Sequence, residues 1–248
     1  MPGKSPERER GRRKDRAQRI SLIERLAPVC GRVLDVGCAT GSLLEELRSK
    51  GWEPYGVEPD AASAAFARER LGLDVRQGTL KDAQFPDEHF DLICFWHVLE
   101  HVPDPRPTLA EAARVARPGA TLLLSLPDPE SWMAALFGPY WCGWDVPRHL
   151  CLFPKRVLAR LLAETGWSNV QMFARGGRHW YFTMSLENWA RDRRASFARI
   201  ICRIASSAPV KALTLPVYVL FERLGRGPNL LAIARRGESS PGIGGRKS

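Results

Sequence analysis

Val33-Leu34-Asp35-Val36-Gly37-Cys38-Ala39-Thr40-Gly41, followed directly by Ser42-Leu43-Leu44-Glu45, is the stretch on which the fold turns. An apolar run carrying one acid ends in glycines, and Leu43, Leu44 and Leu47 then recur at helical spacing. This predicts a buried strand, a tight turn and an amphipathic helix that Ser42 and Glu45 open as a capping box and Gly51 closes. In doubly wound folds, ligands sit where strand carboxyl ends meet helix N-termini, and missing Cβ atoms let the main chain approach them. A dinucleotide fingerprint needs glycine at positions 37, 39 and 42. Ala39 and Ser42 depart from it, so the turn reads poorly as an NAD site.

Outward from this stretch the alternation repeats. Strand-like runs at 32–36, 53–57, 74–77, 90–95 and 121–126 alternate with helical patterns, which argues for βαβ units and a parallel sheet. Asp60 caps an Ala-rich helix ending near Gly72, and a further helix runs from about Pro107 to Ala116. Pro118-Gly119 then reads as a turn into the fifth strand. After Pro127 an aromatic-rich insertion extends to Phe153. A helix from Pro154 to Thr165 and a strand at 169–175 follow, then a second insertion over about 180–226 and a closing strand at 229–234. The expected domain is 16–235, with a basic arm at 1–15 and a polar tail at 236–248.

The net charge of +10 invites a nucleic-acid or anionic-membrane partner. Much of it crowds the start of the chain, where Lys4, Arg8, Arg10, Arg12, Arg13, Lys14, Arg16 and Arg19 interleave with Glu7, Glu9 and Asp15. Such mixed charge reads either as a solvated, mobile arm or as a surface-binding one. No apolar h-region follows, so the cytoplasm is the expected compartment. The six cysteines form no CxxC pair and no metal-ligand spacing, which argues against structural zinc and a disulfide framework.

The run from Val33 to Gly41 resembles motif I of class I S-adenosylmethionine-dependent methyltransferases, with Ala39 in the middle glycine position. The resemblance implies a Rossmann-like α/β fold: a doubly wound, mostly parallel sheet with an antiparallel last strand, here carrying two insertions. It also implies S-adenosylmethionine as cofactor, with Asp35 and the backbone of Gly37, Cys38, Ala39 and Gly41 at its methionine end. Glu58, followed by Pro59, closes the second strand at the distance where such folds place an acidic ribose ligand. Thr79 and Leu80 follow Gly78 where the family contacts adenine; Thr79 stands where an acid is often found. Phe90 to Val102 is similar to the family's fourth-strand motif. It places Trp96 in the cofactor set and contains Leu99-Glu100-His101, the triplet of small-molecule members.

The fourth strand lacks the Pro-Pro-aromatic and Pro-Cys signatures of DNA-modifying members, so no DNA partner is expected. The positive charge lies outside the apparent site, which favours a small-molecule acceptor over RNA. Within the first insertion, 141–154 resembles a segment of bacterial methyltransferases for quinone, polysaccharide or lipid-linked substrates. Trp141 and Trp144 are the expected walls of an apolar pocket there, with Arg148 paired either to Asp145 or to an anionic substrate. His149 is the candidate general base for an acceptor hydroxyl, or else a structural histidine bonded to the loop backbone. His97 and His101 read as structural. An RNA methyltransferase and a non-catalytic cofactor-binding module are the alternative functions, and the oligomeric state is left open.

The second insertion mixes Arg191, Arg193, Arg194, Arg199, Arg203 and Lys211 with apolar residues from Ile200 and Ile201 to Phe221. Its longest uncharged run, 212–221, is too short to span a bilayer. It reads either as an interfacial membrane contact or as a helical cap.

Overall fold

Val33 and Leu34 are fully excluded from water, and β1 (Arg32–Val36) that carries them has no solvated face. Strands with this pattern belong inside a sheet covered on both sides. The computed structural model describes residues 6–176, 178–193 and 203–237. The other strands are β2 (Glu53–Glu58), β3 (Asp74–Gln77), β4 (Phe90–Trp96), β5 (Ala116–Pro127), β6 (Trp167–Ala174) and β7 (Asn229–Arg236). They form one seven-stranded sheet in the order β3-β2-β1-β4-β5-β7-β6, mostly parallel with antiparallel C-terminal strands. The β1–β2 pair runs parallel from Arg32 opposite Glu53 to Val36 opposite Val57, and β2–β3 from Tyr55 opposite Asp74 to Glu58 opposite Gln77.

Parallel neighbours need crossovers, and helices supply them. The helices are α1 (Pro6–Leu26), α2 (Ser42–Ser49), α3 (Ala61–Leu71), α4 (Pro105–Val115), α5 (Trp132–Phe137), α6 (Lys155–Glu164), α7 (Arg178–Asp192) and α8 (Ala208–Arg223). Leu43, Leu44 and Leu47 are buried on α2, and Asp60 caps α3 by accepting from the Ser63 N–H at 2.8 Å. Cys38, Leu44, Ala64, Ala67, Leu73 and Val75 close into one apolar cluster.

Several boundaries differ from expectation. Gly41, not Ser42, is the N-cap of α2, and no side chain caps that end. The Ser42 hydroxyl instead lies 3.3 Å from that of Thr40, so the capping box does not form. Residues 6–15, expected as arm, are helical in α1, where Arg19 pairs with Asp15 at 2.6 Å and Arg16 with Glu46 at 2.7 Å. Arg, Lys and Glu are good helix formers as well as good solvated residues, so their mixture reads both ways. Pro118-Gly119, expected as a turn, lies within β5, which begins at Ala116. Arg117 is held there by Asp91 at 2.7 Å. Residues 1–5 of the expected arm, 238–248 of the tail, and Arg194, Arg199, Ile200 and Ile201 lie outside the described residues.

The chain divides into two compact units. One takes the described residues of Met1–Cys94, Glu111–Leu122 and Arg236–Ser248; the other takes those of Phe95–Ala110 and Leu123–Arg235. Both insertions belong to the second unit. Met133, Ala134, Trp141, Tyr181 and Tyr218 join them in one buried cluster.

Candidate active site

In the first unit, β1 carries Asp35 into the interior, where its Oδ1 has no hydrogen-bond partner. Burial raises this carboxyl from 3.8 to about 7; the positive charge of Arg19 opposes the rise, and the negative charge of Glu58 adds to it. A buried acid with an unused oxygen fits a cationic ligand group, which would return it to the ionised form.

Beyond β1 the chain turns through left-handed φ values of 73° at Gly37, 49° at Ala39 and 78° at Gly41. The N–H groups of Gly37 and Cys38 both donate to the Val57 carbonyl, at 2.7 and 3.1 Å. Cys38 Sγ leans on β2 so closely that a Cβ added at Gly56 would lie 2.6 Å from it. A Cβ at Gly41 would lie 2.6 Å from Leu73 Cδ1. These glycines let the turn close over the sheet.

Glu58 ties the turn to the next strand. Its Oε2 accepts from the Ala39 N–H at 2.8 Å and its Oε1 from the Asp60 N–H at 2.9 Å. Each oxygen keeps a second lone pair, enough to receive two hydroxyls. Pro59 is exposed and Leu80 buried. Thr79 donates both its N–H (2.9 Å) and its hydroxyl (2.6 Å) to Asp82 Oδ2, and these bonds lower the Asp82 pKa. Asp82 thus closes the turn after Gly78, a contact that the Thr-x-x-Asp spacing signals.

The second unit holds a histidine cluster. Trp96 ends β4 and is half-buried; His97 follows at a φ of 57°, with its Nδ1 3.2 Å from Glu100 Oε1. Glu100 is completely buried, and its Oε2 has no partner. Its carbonyl accepts from the N–H groups of Leu150 and Cys151, at 2.7 and 3.2 Å, which locks the 141–153 loop onto the Leu99–His101 turn.

His101 Nδ1 lies 2.9 Å from the Arg148 carbonyl, and His149 Nδ1 lies 2.7 Å from the Gly143 carbonyl. A carbonyl only accepts, so in each ring Nδ1 carries the proton and, in the neutral form, Nε2 presents a lone pair. His149 Nε2 is 3.8 Å from Asp145 Oδ2, beyond hydrogen-bonding distance. The two rings meet edge to face at 4.8 Å. One ligand atom each from Glu100, His101 and His149 lies within 4.8 Å of the others, a set that can hold a metal ion.

Residues 9–172 match the family described as a methyltransferase domain. The chain belongs to that methyltransferase family. Its fold is the class I, S-adenosylmethionine-dependent type. Among curated relatives, the ubiquinone biosynthesis O-methyltransferase of Hahella chejuensis is 35% identical over 139 residues, which is 52% of this chain and 58% of the relative. That of Aromatoleum aromaticum is 34% identical over 167 residues, 62% of this chain and 71% of the relative. The chain therefore spans under two thirds of the length of the Hahella protein. Solved structures share the fold. A SAM-dependent methyltransferase from Archaeoglobus fulgidus superposes with a TM-score of 0.57 at 19% identity, covering 89% of this chain and 94% of its own. Phosphoethanolamine N-methyltransferase 2 of Haemonchus contortus, solved with S-adenosyl-L-methionine, gives 0.59 at 16%, covering 90% and 53%.

In this member of the family the sequence-derived cofactor residues other than Trp96 fall together in the first unit. Trp96, His149, Trp141, Trp144 and Arg148 fall in the second. Trp141 is only 1% exposed and stacks on Tyr181 at 6.1 Å, so it packs the loop from beneath. Trp144 and Arg148 reach solvent; Trp144 Nε1 donates to the Gly138 carbonyl at 2.8 Å, and Arg148 pairs with Asp145 at 2.7 Å. His101 was legible only as structural, and Glu100 only as part of the Leu99-Glu100-His101 triplet. Their meeting with His149 depends on contacts 47 positions apart in the chain, for which the sequence carries no local signal.

Proposed function

We propose that this chain transfers a methyl group from S-adenosylmethionine to an oxygen of a small hydrophobic or lipid-linked acceptor. The observation that carries the cofactor is the Glu58 lock on the Ala39 and Asp60 N–H groups, with the orphan Asp35 carboxylate on the neighbouring strand. When bound, S-adenosylmethionine supplies an electrophilic methyl for in-line displacement. Glu58 receives the ribose hydroxyls, Asp35 faces the ammonium, and the Gly37–Gly41 backbone holds the methionine end. Thr79, Leu80 and Pro59 complete the cofactor residues of the first unit.

His149 takes the acceptor's hydroxyl proton on Nε2, since the Gly143 carbonyl fixes the tautomer that leaves this atom basic. The names of the curated relatives support an oxygen acceptor and a quinone-like class of substrate. A second reading rests on the clustering of Glu100, His101 and His149: a divalent cation on the same atoms would polarise the hydroxyl instead. Chelation that abolishes turnover, with recovery on adding a divalent cation, would select it; indifference to chelator selects the direct base.

The test of the reaction is incubation of the full chain and labelled S-adenosylmethionine with a cell extract, followed by separation of lipid, aqueous and RNA fractions. Label in a lipid-phase methyl ether is the expected result. Label confined to RNA, or no transfer by folded protein, would overturn the reading.

A further inference from the structure

Helix α8 is fastened to its unit along one side. Tyr218 is buried in the cluster with Met133, Ala134, Trp141 and Tyr181, and Phe221 stacks on Trp132 at 4.9 Å with the ring planes 20° apart. At 100° per residue, the opposite side carries Leu213, Pro216, Val217, Leu220 and Leu224, spaced i, i+3, i+4, i+7 and i+11. Leu213 is 79% exposed, Leu220 54% and Leu224 61%. Single exposed leucines are ordinary, but an unbroken aliphatic row about 16 Å long is not.

Cations outnumber acids around the row. Lys211, Arg223 and Arg226 are exposed near its two ends, while the neighbouring acid Glu222 is half-buried and Glu130 lines a cleft with Leu224, Lys155 and Arg226. No ionisable side chain with a formal charge interrupts 212–221. Among the described residues no helix is long and apolar enough to cross a membrane.

The geometry points to α8 as a docking surface for a bilayer bearing anionic phospholipids. The aliphatic row enters the boundary between headgroups and acyl chains, and the flanking cations meet lipid phosphates. Charge selects this occupant over a second copy of the chain. A two-fold contact through α8 would bring the same patch of cations against itself, whereas an anionic bilayer neutralises it. The row is also aliphatic, lacking the Trp, Tyr and Arg anchors that dominate protein–protein hot spots. None of its residues belongs to the candidate active site, so the surface stands apart from the methyl-transfer reading.

Sedimentation of the full chain with vesicles tests it, using phosphatidylglycerol mixed into phosphatidylcholine against phosphatidylcholine alone, at low and high salt. Wild type is expected to pellet with the anionic vesicles at low salt and to be released at high salt. Lys211→Ala with Arg223→Ala should lower partitioning about thirtyfold, the equivalent of ~1 kcal/mol per cation. Leu213→Glu with Leu220→Glu should abolish pelleting while circular dichroism and thermal unfolding stay those of wild type. The lysine–arginine variant keeps the test valid if the leucine variant fails to fold. Wild type that stays in the supernatant at every composition, or both variants pelleting like wild type, would overturn the proposal. So would a concentration-dependent dimer, lost in the leucine variant, in a chain that ignores vesicles.

Discussion

The turn at Gly37–Gly41 and the loop at 141–153 both prepare functional groups with strained or tightly bonded backbone, but in opposite ways. In the turn, the main chain is itself the proposed binding surface. Gly37, Ala39 and Gly41 adopt left-handed conformations, and the Glu58 carboxylate receives the Ala39 N–H so exposed. In the loop, backbone carbonyls instead fix side chains: Arg148 and Gly143 each hold a histidine Nδ1 and thereby aim its Nε2. Recognition through the main chain needs residues that permit a conformation, whereas recognition through side chains needs distant partners brought together by folding.

The largest effect separates the two regions. His149→Ala should lower turnover about 10²-fold, the usual contribution of a general base, while leaving cofactor affinity within about twofold. Steady-state rates with calorimetry on the same preparation check this. Near-normal turnover in a folded variant would make His149 a loop brace. A matching loss of cofactor affinity would end the division of roles.

Next in size is a pH effect confined to the turn side. Burial raises the Asp35 carboxyl from 3.8 to about 7, so without cofactor it holds its proton more tightly in the folded chain than in the unfolded one. Its favourable contribution is present below the unfolded value and is lost as pH rises from 3.8 towards 7. Asp35→Asn should therefore raise the melting temperature more at pH 8 than at pH 5. An ammonium group needs the ionised form, so S-adenosylmethionine affinity should fall about tenfold per unit below pH 7, a slope that Asp35→Asn flattens. A flat wild-type profile would remove Asp35 from the ligand contact.

The smallest effect probes the backbone alone. Ala39→Gly relieves a left-handed alanine but adds freedom to the unfolded chain, two terms of about 1 kcal/mol and opposite sign. The melting temperature should move by only a few degrees and cofactor affinity by less than about twofold. A large loss of affinity would show that the Ala39 methyl touches the ligand.

The same contrast explains what the sequence disclosed. β1, the glycine turn, α2 and the acid ending β2 lie within one βαβ unit, so spacing and residue type were enough to place Asp35, Gly37, Gly41 and Glu58 on the strand ends and turn that the structure shows. Ser42 misled because a capping box and a glycine N-cap look alike until the hydroxyl's neighbour is known, and that neighbour is Thr40. Pro118-Gly119 misled because turn chemistry also occurs inside a strand. Trp141 read as a pocket wall, but its burial depends on Tyr181, beyond the reach of local pattern. His149 was legible as a residue type, and its partners were not.

Titration calorimetry with S-adenosylmethionine tests the central claim most directly, on wild type, Glu58→Ala and Gly37→Val. Glu58 accepts two backbone N–H groups and is proposed to receive the ribose, so its loss should weaken binding ten- to a hundredfold, as expected for charged hydrogen bonds. Gly37→Val, at a φ of 73°, should weaken it at least as much. One cofactor bound per wild-type chain, with both variants folded and weakened, is the predicted result. No binding by well-folded wild type, or unchanged affinity in both variants, would contradict it.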